Sequence, residues 1–210
     1  MESLTITKDK QKNISPANAI NLLLEGNKRF VEGKMVKRNL LEQISITSEG
    51  QFPFAAVLGC IDSRVPAEIV FDQGIGDIFN IRIAGNFVNT DILGSLEFAC
   101  KVAGAKVIVV LGHTRCGAVI GASAGVKLGN LSYLLENIKP ALEAVKKESA
   151  VENFEDPDFL EDVSVKNVEM AVANIKSRSN VLKEMQDNGE IDIIGGMFDV
   201  ATGKVTILNL

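Results

Sequence analysis

Two short segments of the chain carry side chains that could bind a metal ion. Cys60 follows one short apolar run, and His113 and Cys116 follow another. Two thiolates and one imidazole suit Zn2+, and three protein ligands leave one tetrahedral position open, as in catalytic zinc sites. Zinc lowers the pKa of a bound water from about 15.7 to about 7, which gives hydroxide at neutral pH. These residues therefore predict a zinc ion that generates a nucleophile.

Each of these residues also has an ordinary structural interpretation. A lone cysteine after an apolar strand is usually a small buried hydrophobic residue, and a loop histidine is often a hydrogen-bonded surface group. The combination favours the metal site, because the only histidine, His113, lies three residues before Cys116, and both follow a predicted strand, as Cys60 does. Cys100 falls in a predicted helix and is expected to fill the core.

Asp62 and Arg64 flank Ser63 directly after Cys60. In an extended loop, residues i and i+2 face the same side, so this carboxylate and guanidinium could pair. Paired with Arg64, Asp62 would accept a hydrogen bond from the zinc-bound water, although it is also close enough to Cys60 to reach the metal itself. The alternative is that the two side chains form an ordinary exposed salt bridge within the loop, which would contribute little to stability.

The elements that must position these groups are predicted from apolar runs. Residues 54–59, 77–83 and 106–111 are interpreted as strands that alternate with helices. The predicted fold is therefore α/β, with a mostly parallel central β-sheet flanked by helices. Both metal-binding segments follow carboxyl ends of strands, where ligand sites form in open α/β sheets. A C-terminal hairpin over 190–210 is predicted to close the fold.

The other segments are predicted mainly as helices. Residues 1–14 form a loose polar arm, and Ser15 and Pro16 begin the first helix; a second, short helix covers 40–48 and a third covers 91–102. Asn130 caps a helix that Pro140 kinks or divides. Residues 148–162 form a solvated acidic loop, and 164–188 form one long helix. Residues 1–210 are interpreted as a single domain, with an N-terminal helical arm (1–50), a zinc-site core (51–125) and C-terminal helices and hairpin (126–210).

Composition excludes several classes of function. The chain has 210 residues, 46% hydrophobic and 23% charged, which is typical of a globular protein. A net charge of −5 and the absence of Trp argue against nucleic-acid binding. The apolar runs are too short to span a membrane, and the N-terminus lacks the apolar stretch of a secretory signal. With three sparse cysteines, a cytoplasmic location is expected.

Two other interpretations of the loops lack their signatures. A thiol redox pair normally uses Cys-x-x-Cys on one turn, whereas Cys60 and Cys116 are far apart in sequence. The glycines of residues 112–125 carry neither the Lys-Ser/Thr ending nor the Rossmann spacing of nucleotide-binding loops.

The two motifs together resemble those of the β-class carbonic anhydrases. The match comprises CIDSR at 60–64 and HTRCG at 113–117, supported by Val65-Pro66, RIAGN at 82–86 and residues 94–98. The resemblance implies a zinc enzyme, with one Zn2+ per chain, that reversibly hydrates CO2 to bicarbonate and a proton. It also implies a homo-oligomer, a dimer or a dimer of dimers, with active sites at the interface. A CS2 or COS hydrolase on the same scaffold and a non-catalytic zinc-binding homologue remain as alternatives.

Carried over by position, the resemblance assigns a role to each motif residue. Cys60, His113 and Cys116 bind zinc, and Asp62 and Arg64 orient the hydroxide; in a closed state Asp62 becomes an alternate fourth zinc ligand. Six residues are implied around the substrate: Gln51, Val65, Phe79, Ala84, Phe98 and the backbone N–H of Gly117. Gln51 and Phe79 are expected from the neighbouring subunit.

One position separates subgroups of this family. Members with a regulatory bicarbonate site carry Trp three residues before the first zinc cysteine, where this chain has Val57. The resemblance is therefore to the plant-like subgroup, without that site.

Overall fold

A five-stranded sheet organises the chain. The computed structural model describes residues 5–148, 153 and 155–210. The strands are β1 (Ala55–Gly59), β2 (Ile78–Arg82), β3 (Val107–His113), β4 (Asp192–Phe198) and β5 (Val205–Ile207). Their order is β2-β1-β3-β4-β5. The first four pair in parallel, and β5 pairs antiparallel to β4 as a C-terminal hairpin. The predicted α/β fold and hairpin are confirmed.

Helices cover both faces of this sheet. They are α1 (Lys8–Asn13), α2 (Pro16–Val31), α3 (Leu40–Thr47), α4 (Ala67–Val70), α5 (Thr90–Glu97), α6 (Gly117–Ser123), α7 (Gly129–Glu136), α8 (Lys139–Glu148), α9 (Pro157–Arg178) and α10 (Asn180–Asp187). A π-helical segment, Phe98–Val102, continues α5. Among the described residues, no helix combines the length and the apolar character that a membrane span requires.

The two apolar strands β1 and β3 lie at the centre and are buried throughout. Successive side chains point to opposite faces: Ile108 belongs to the core cluster that includes Val168 of α9, and Val109 belongs to the second cluster, which includes Leu23 of α2. This two-sided covering explains why both strands are continuous apolar runs.

The N-terminal segment corrects the prediction of a loose polar arm for residues 1–14. Within its described part, Thr7 caps α1 by accepting a hydrogen bond from the N–H of Lys10. Gln11 of this helix is buried and donates to the carbonyl oxygens of Pro53 and Ala103, at 2.7 and 2.8 Å. These bonds attach α1 both to the loop before β1 and to the turn between the π-helical segment and β3, so a polar helix is held by specific contacts. The predicted start of α2 at Ser15 and Pro16 is confirmed.

Ser179 divides the long helix predicted over 164–188. Its backbone is extended, with φ −119° and ψ 102°, and its side chain caps α10 by accepting from the N–H of Leu182. The predicted acidic loop is also wrong in part, because α9 already begins at Pro157 behind its cap, Asp156; residues 149–152 and 154 lie outside the described residues.

One predicted helix boundary needs correction, and one is confirmed. Asn130 was expected to cap its helix but lies inside α7, where Leu128 holds the cap position. Pro140 lies in the first turn of α8, which confirms the division of that region.

Candidate metal centre

Three donor atoms from separate segments meet at one edge of the sheet. Cys60 directly follows β1, His113 is the last residue of β3, and Cys116 directly precedes α6. The strands are neighbours, with Gly59 paired to Leu111. The two sulfurs and an imidazole nitrogen lie within 4.8 Å of one another, and all three residues are buried. His113 was predicted to follow β3 in a loop; it lies in the strand itself, whose pairing fixes its backbone.

The orientation of the His113 ring suits metal binding. Its Nδ1 lies 2.9 Å from the carbonyl oxygen of Thr114. Because a carbonyl oxygen only accepts, Nδ1 carries the proton and Nε2 presents its lone pair. Within the described part of the chain, Nε2 is buried and has no hydrogen-bond partner. A buried nitrogen without a partner is costly, and a cation among the three donors would satisfy it.

The two cysteine thiols of the site influence each other's ionisation. A hydrogen bond from the Cys116 thiol outweighs burial and holds the pKa of Cys60 below its usual range, and the N–H of Gly85 acts in the same direction. The same hydrogen bond, together with burial, raises the pKa of Cys116 above its usual range. Metal binding requires both thiols to be deprotonated, so a divalent cation would take the place of the shared proton.

Asp62 and Arg64 form the pair that their spacing predicts. Arg64 donates from Nε to Oδ1 at 2.9 Å and from Nη2 to Oδ2 at 2.8 Å, and its backbone N–H also bonds Oδ1 at 2.9 Å. These hydrogen bonds from Arg64 outweigh the opposing effect of burial and lower the pKa of Asp62 to about 2. Asp62 is thus an ionised acceptor with a fixed orientation, and among the described residues the group of three mutually close donors does not include it.

Two further residues, which sequence reasoning missed as parts of the site, hold the loop that carries Cys60. Arg82, at the end of β2, donates to the carbonyl oxygens of Cys60 and Asp62 at 2.8 and 2.6 Å. Gly85 donates its backbone N–H to Sγ of Cys60 at 3.3 Å. Both lie in the RIAGN segment. The family resemblance included this segment but did not indicate that it holds the loop that carries Cys60.

The residues expected around a substrate are only partly brought together. Val65 is buried beside the loop, Ala84 is half-buried and Gly117 is exposed at the start of α6. Phe79 and Phe98 contact each other edge to face, with ring centroids 6.2 Å apart.

The two aromatic rings and Gln51 stand apart from the metal ligands. Phe79 and Phe98 line a cavity of about 610 Å³ whose described lining contains none of the three donors. Gln51 is exposed before β1. One chain therefore does not assemble the whole expected pocket from its described residues.

Comparisons with known proteins agree with this geometry. A family model described as carbonic anhydrase matches residues 55–205. Carbonic anhydrase 2 of Mycobacterium tuberculosis (strain CDC 1551 / Oshkosh) is 35% identical over 203 residues, 93% of this chain and 94% of that protein. The solved β-carbonic anhydrase CafA of Aspergillus fumigatus has a TM-score of 0.73 at 26% identity, covering 90% of each chain. Tetrameric β-carbonic anhydrases of Sordaria macrospora share the fold, with a TM-score of 0.72 at 24% identity over 92% of this chain and 98% of that chain.

Proposed function

The chain belongs to the carbonic anhydrase family, in its β class, and from this premise we propose that Cys60, His113 and Cys116 bind its catalytic zinc ion. The protein is a zinc enzyme that reversibly hydrates CO2 to bicarbonate and a proton. The observation that carries the residue assignment is the convergence of two sulfurs and one imidazole nitrogen within 4.8 Å of one another. This donor set suits a tetrahedral Zn2+ with one open position.

Zinc held by these residues supplies a Lewis acid that lowers the pKa of water and so provides hydroxide at neutral pH. The chain's own contribution is to hold and aim the reacting groups. Asp62, kept ionised by Arg64, accepts a hydrogen bond from the O–H of the attacking oxygen and so directs its lone pair toward the carbon of CO2. The Thr114 carbonyl oxygen keeps the proton of His113 on Nδ1, as metal-ligating histidines require.

The substrate side of the site is assigned to apolar residues. CO2 has no net dipole, so it needs no polar partner in the ground state. Val65 is buried next to the Asp62–Arg64 pair, and Ala84, Phe79 and Phe98 are the other apolar groups of the proposed pocket. Charge that develops on the bicarbonate oxygens is stabilised by the exposed N–H of Gly117 and by the side-chain amide of Gln51.

We infer that a second copy of the chain completes this pocket, so that the protein acts as a homo-oligomer. Phe98 and Val102 of the π-helical segment are 52% and 72% exposed, and Leu41 of α3 is 79% exposed. Burial of such large apolar side chains against another chain would be favourable. We assign Gln51 and Phe79 to the neighbouring subunit's site, in a dimer or a dimer of dimers. The tetrameric state of the Sordaria macrospora enzymes agrees with this.

A cytoplasmic location and the plant-like subgroup belong to the same proposal. Cys60, Cys100 and Cys116 are all free thiols, and a zinc–thiolate site needs a compartment that keeps them reduced. Val57, buried in β1, stands where a regulatory bicarbonate site would need Trp, so we expect bicarbonate to act only as product and substrate.

The decisive experiment measures zinc per chain and CO2 hydration by stopped flow on the same preparation. About one zinc per chain with rapid hydration is expected, and metal-free protein of full activity would refute the assignment. Sulfide release from CS2 or COS, measured in parallel, separates the alternative hydrolase from the anhydrase. Zinc-loaded protein that is inactive on all three substrates would identify a non-catalytic homologue.

A further inference from the structure

A buried asparagine of α9 reaches the metal centre through one glycine. Asn167 is 5% exposed, and its Nδ2 donates to the carbonyl oxygen of Gly85 at 2.7 Å. The N–H of the same glycine donates to Sγ of Cys60 at 3.3 Å. Residue 167 is therefore connected to a proposed zinc ligand by two consecutive hydrogen bonds, although 107 positions separate it from Cys60 in sequence (167 − 60 = 107).

Asn167 occupies a position where an apolar residue would be more favourable for folding alone. Its neighbours on the buried side of α9 include Val163, Val168 and Ala171. Asparagine has low helix propensity, and burial of its amide is unfavourable unless the amide is hydrogen-bonded. The amide is satisfied by a bond to a loop backbone rather than to its own helix, which indicates that its task is to hold the loop.

Gly85 is suited to transmit this constraint because of its backbone. Its φ is +78°, in the left-handed region that favours glycine, and an added Cβ would lie 2.6 Å from Cδ1 of Ile138. The carbonyl of Gly85 points to α9 while its N–H points to the sulfur. If Asn167 did not donate to it, the carbonyl oxygen of Gly85 would lose its hydrogen bond. The backbone of Gly85 could then rotate and turn its N–H away from Cys60.

We propose that Asn167 is a positioning residue for the zinc site, which acts through Gly85 to keep an N–H···S hydrogen bond on Cys60. The inference rests on the proposed role of Cys60 as a zinc ligand. A hydrogen bond to a coordinating thiolate draws electron density from the sulfur and fixes the direction of its lone pairs. Such partners of metal ligands typically contribute a factor of roughly 10 to 100 in metal affinity.

The test compares Asn167→Leu with a matched control, Ser164→Ala. Leu is similar in size to Asn but has no donor. Ser164 lies three residues earlier on the same helix, is also buried, and its hydroxyl bonds only the carbonyl of Leu160 among the hydrogen bonds described for it. Zinc affinity is measured by competition with a chromogenic chelator, and thermal unfolding of each zinc-loaded protein reports the loss of general stability.

Asn167→Leu is expected to weaken zinc binding about 10-fold or more, whereas Ser164→Ala leaves it unchanged. In Co2+-substituted protein, the sulfur-to-cobalt charge-transfer band of the Leu variant should move to longer wavelength, because a thiolate that loses a hydrogen bond gives up its electron more easily. A folded Leu variant with wild-type zinc affinity and an unshifted band would overturn the proposal, even if it were less stable to heat.

Asn167→Ser keeps the proposal testable if the Leu variant does not fold. Serine is too short to reach Gly85, so the same changes in zinc affinity and cobalt spectrum are expected. In addition, 113Cd-substituted wild-type protein should show scalar coupling between the metal and the amide proton of Gly85, and the Ser variant should lose it. Coupling of equal size in both would refute the role of Asn167. Failure of the wild type itself to bind zinc would instead refute the proposed metal centre.

Discussion

Oδ2 of Asp62 lies 3.9 Å from Nε2 of His113, the ring nitrogen that has no hydrogen-bond partner among the described residues. The same Oδ2 accepts a hydrogen bond from Nη2 of Arg64 at 2.8 Å. The carboxylate therefore lies beside the three proposed ligands without joining them, and Arg64 holds it there. We expect this arrangement to correspond to the open form of the site, in which Asp62 could become a fourth ligand only after its bonds to Arg64 break.

Replacement of Asp62 by Asn should separate metal binding from turnover. The amide keeps the shape of the carboxylate, but its NH2 group donates where the mechanism needs an acceptor. We expect Asp62→Asn to retain about one zinc per chain and to lose about 100-fold in kcat. Stopped-flow CO2 hydration alongside metal analysis tests this, and an Asn variant with wild-type kcat would show that Asp62 does not orient the nucleophile.

Loss of a proposed ligand should remove the metal, while loss of the third cysteine should not. Cys60→Ser is expected to lower zinc content to near zero and to abolish CO2 hydration, because it removes one of only three protein donors. Cys100→Ala is the control, since Cys100 is equally buried but lies in the π-helical segment after α5. If both variants kept zinc, or both lost it, the assignment of ligands would be wrong.

Proton release should depend on the buffer. The only histidine, His113, is buried at 1% exposure and is itself proposed as a zinc ligand, so no second imidazole is present to carry protons to solvent. We expect kcat to rise clearly as buffer increases from about 1 to about 50 mM at constant pH and ionic strength, because buffer then acts as the proton acceptor. A rate that is constant across this range would reveal another shuttle group within the protein.

Asp72 should be important for stability rather than chemistry. Its side chain is 0% exposed; Arg29 donates to Oδ2 at 2.6 Å, and Arg38 pairs with Oδ1. These bonds tie the end of α2 and the following segment to the turn after α4. Removal of one partner from a buried ion pair typically lowers the free energy of unfolding by about 3 kcal/mol, and we expect this for Asp72→Asn in urea denaturation at pH 7. Asn tolerates the φ of +46° at this position, so the change isolates the charge.

The stabilisation by Asp72 should vanish in acid. Burial opposes ionisation of its carboxyl group, but hydrogen bonds from Arg29 and Arg38 outweigh burial and hold the pKa below its usual range. A carboxyl whose pKa is lower in the folded state stabilises the fold above its unfolded pKa of about 3.9 and loses that contribution as pH falls through the folded pKa. The difference in unfolding free energy between wild type and Asp72→Asn should therefore shrink below about pH 4. An unchanged difference at pH 3 would mean that packing, not charge, explains the variant.

The metal-binding loops and central strands could be predicted because their signals are local. Apolar runs that end in CIDSR and HTRCG place Cys60 and Cys116 at strand ends, and parallel pairing of β1 with β3 then brings them together. The pairing of Asp62 with Arg64 also follows from their spacing alone. Each motif and each apolar run is recognised from residues close to one another in the chain, and the general preference for parallel pairing in α/β folds supplies the contact between them.

Features that depend on distant partners could not be predicted in this way. The break at Ser179 was invisible, because Ile175 and Leu182 continue the apolar period on either side of it. The helix α1 is entirely polar, and its fixed position comes from the bonds of Gln11 to Pro53 and Ala103. Asn167 was overlooked for the same reason: a polar residue on a helix normally indicates the solvent face, and only the tertiary fold places Gly85 opposite it.

The position of His113 as the final residue of β3 has a consequence for the choice of cation. Its main chain belongs to a hydrogen-bonded ladder, with His113 opposite Phe198 of β4, and the strand that leads to Cys60 is its other neighbour. The backbone of one proposed ligand is therefore fixed by the sheet, whereas Cys60 and Cys116 lie outside the strands. An ion of a different radius would be accommodated by movement of the two sulfur ligands and by rotation of the imidazole, and the main chain of His113 would stay in place as the fixed point of the site.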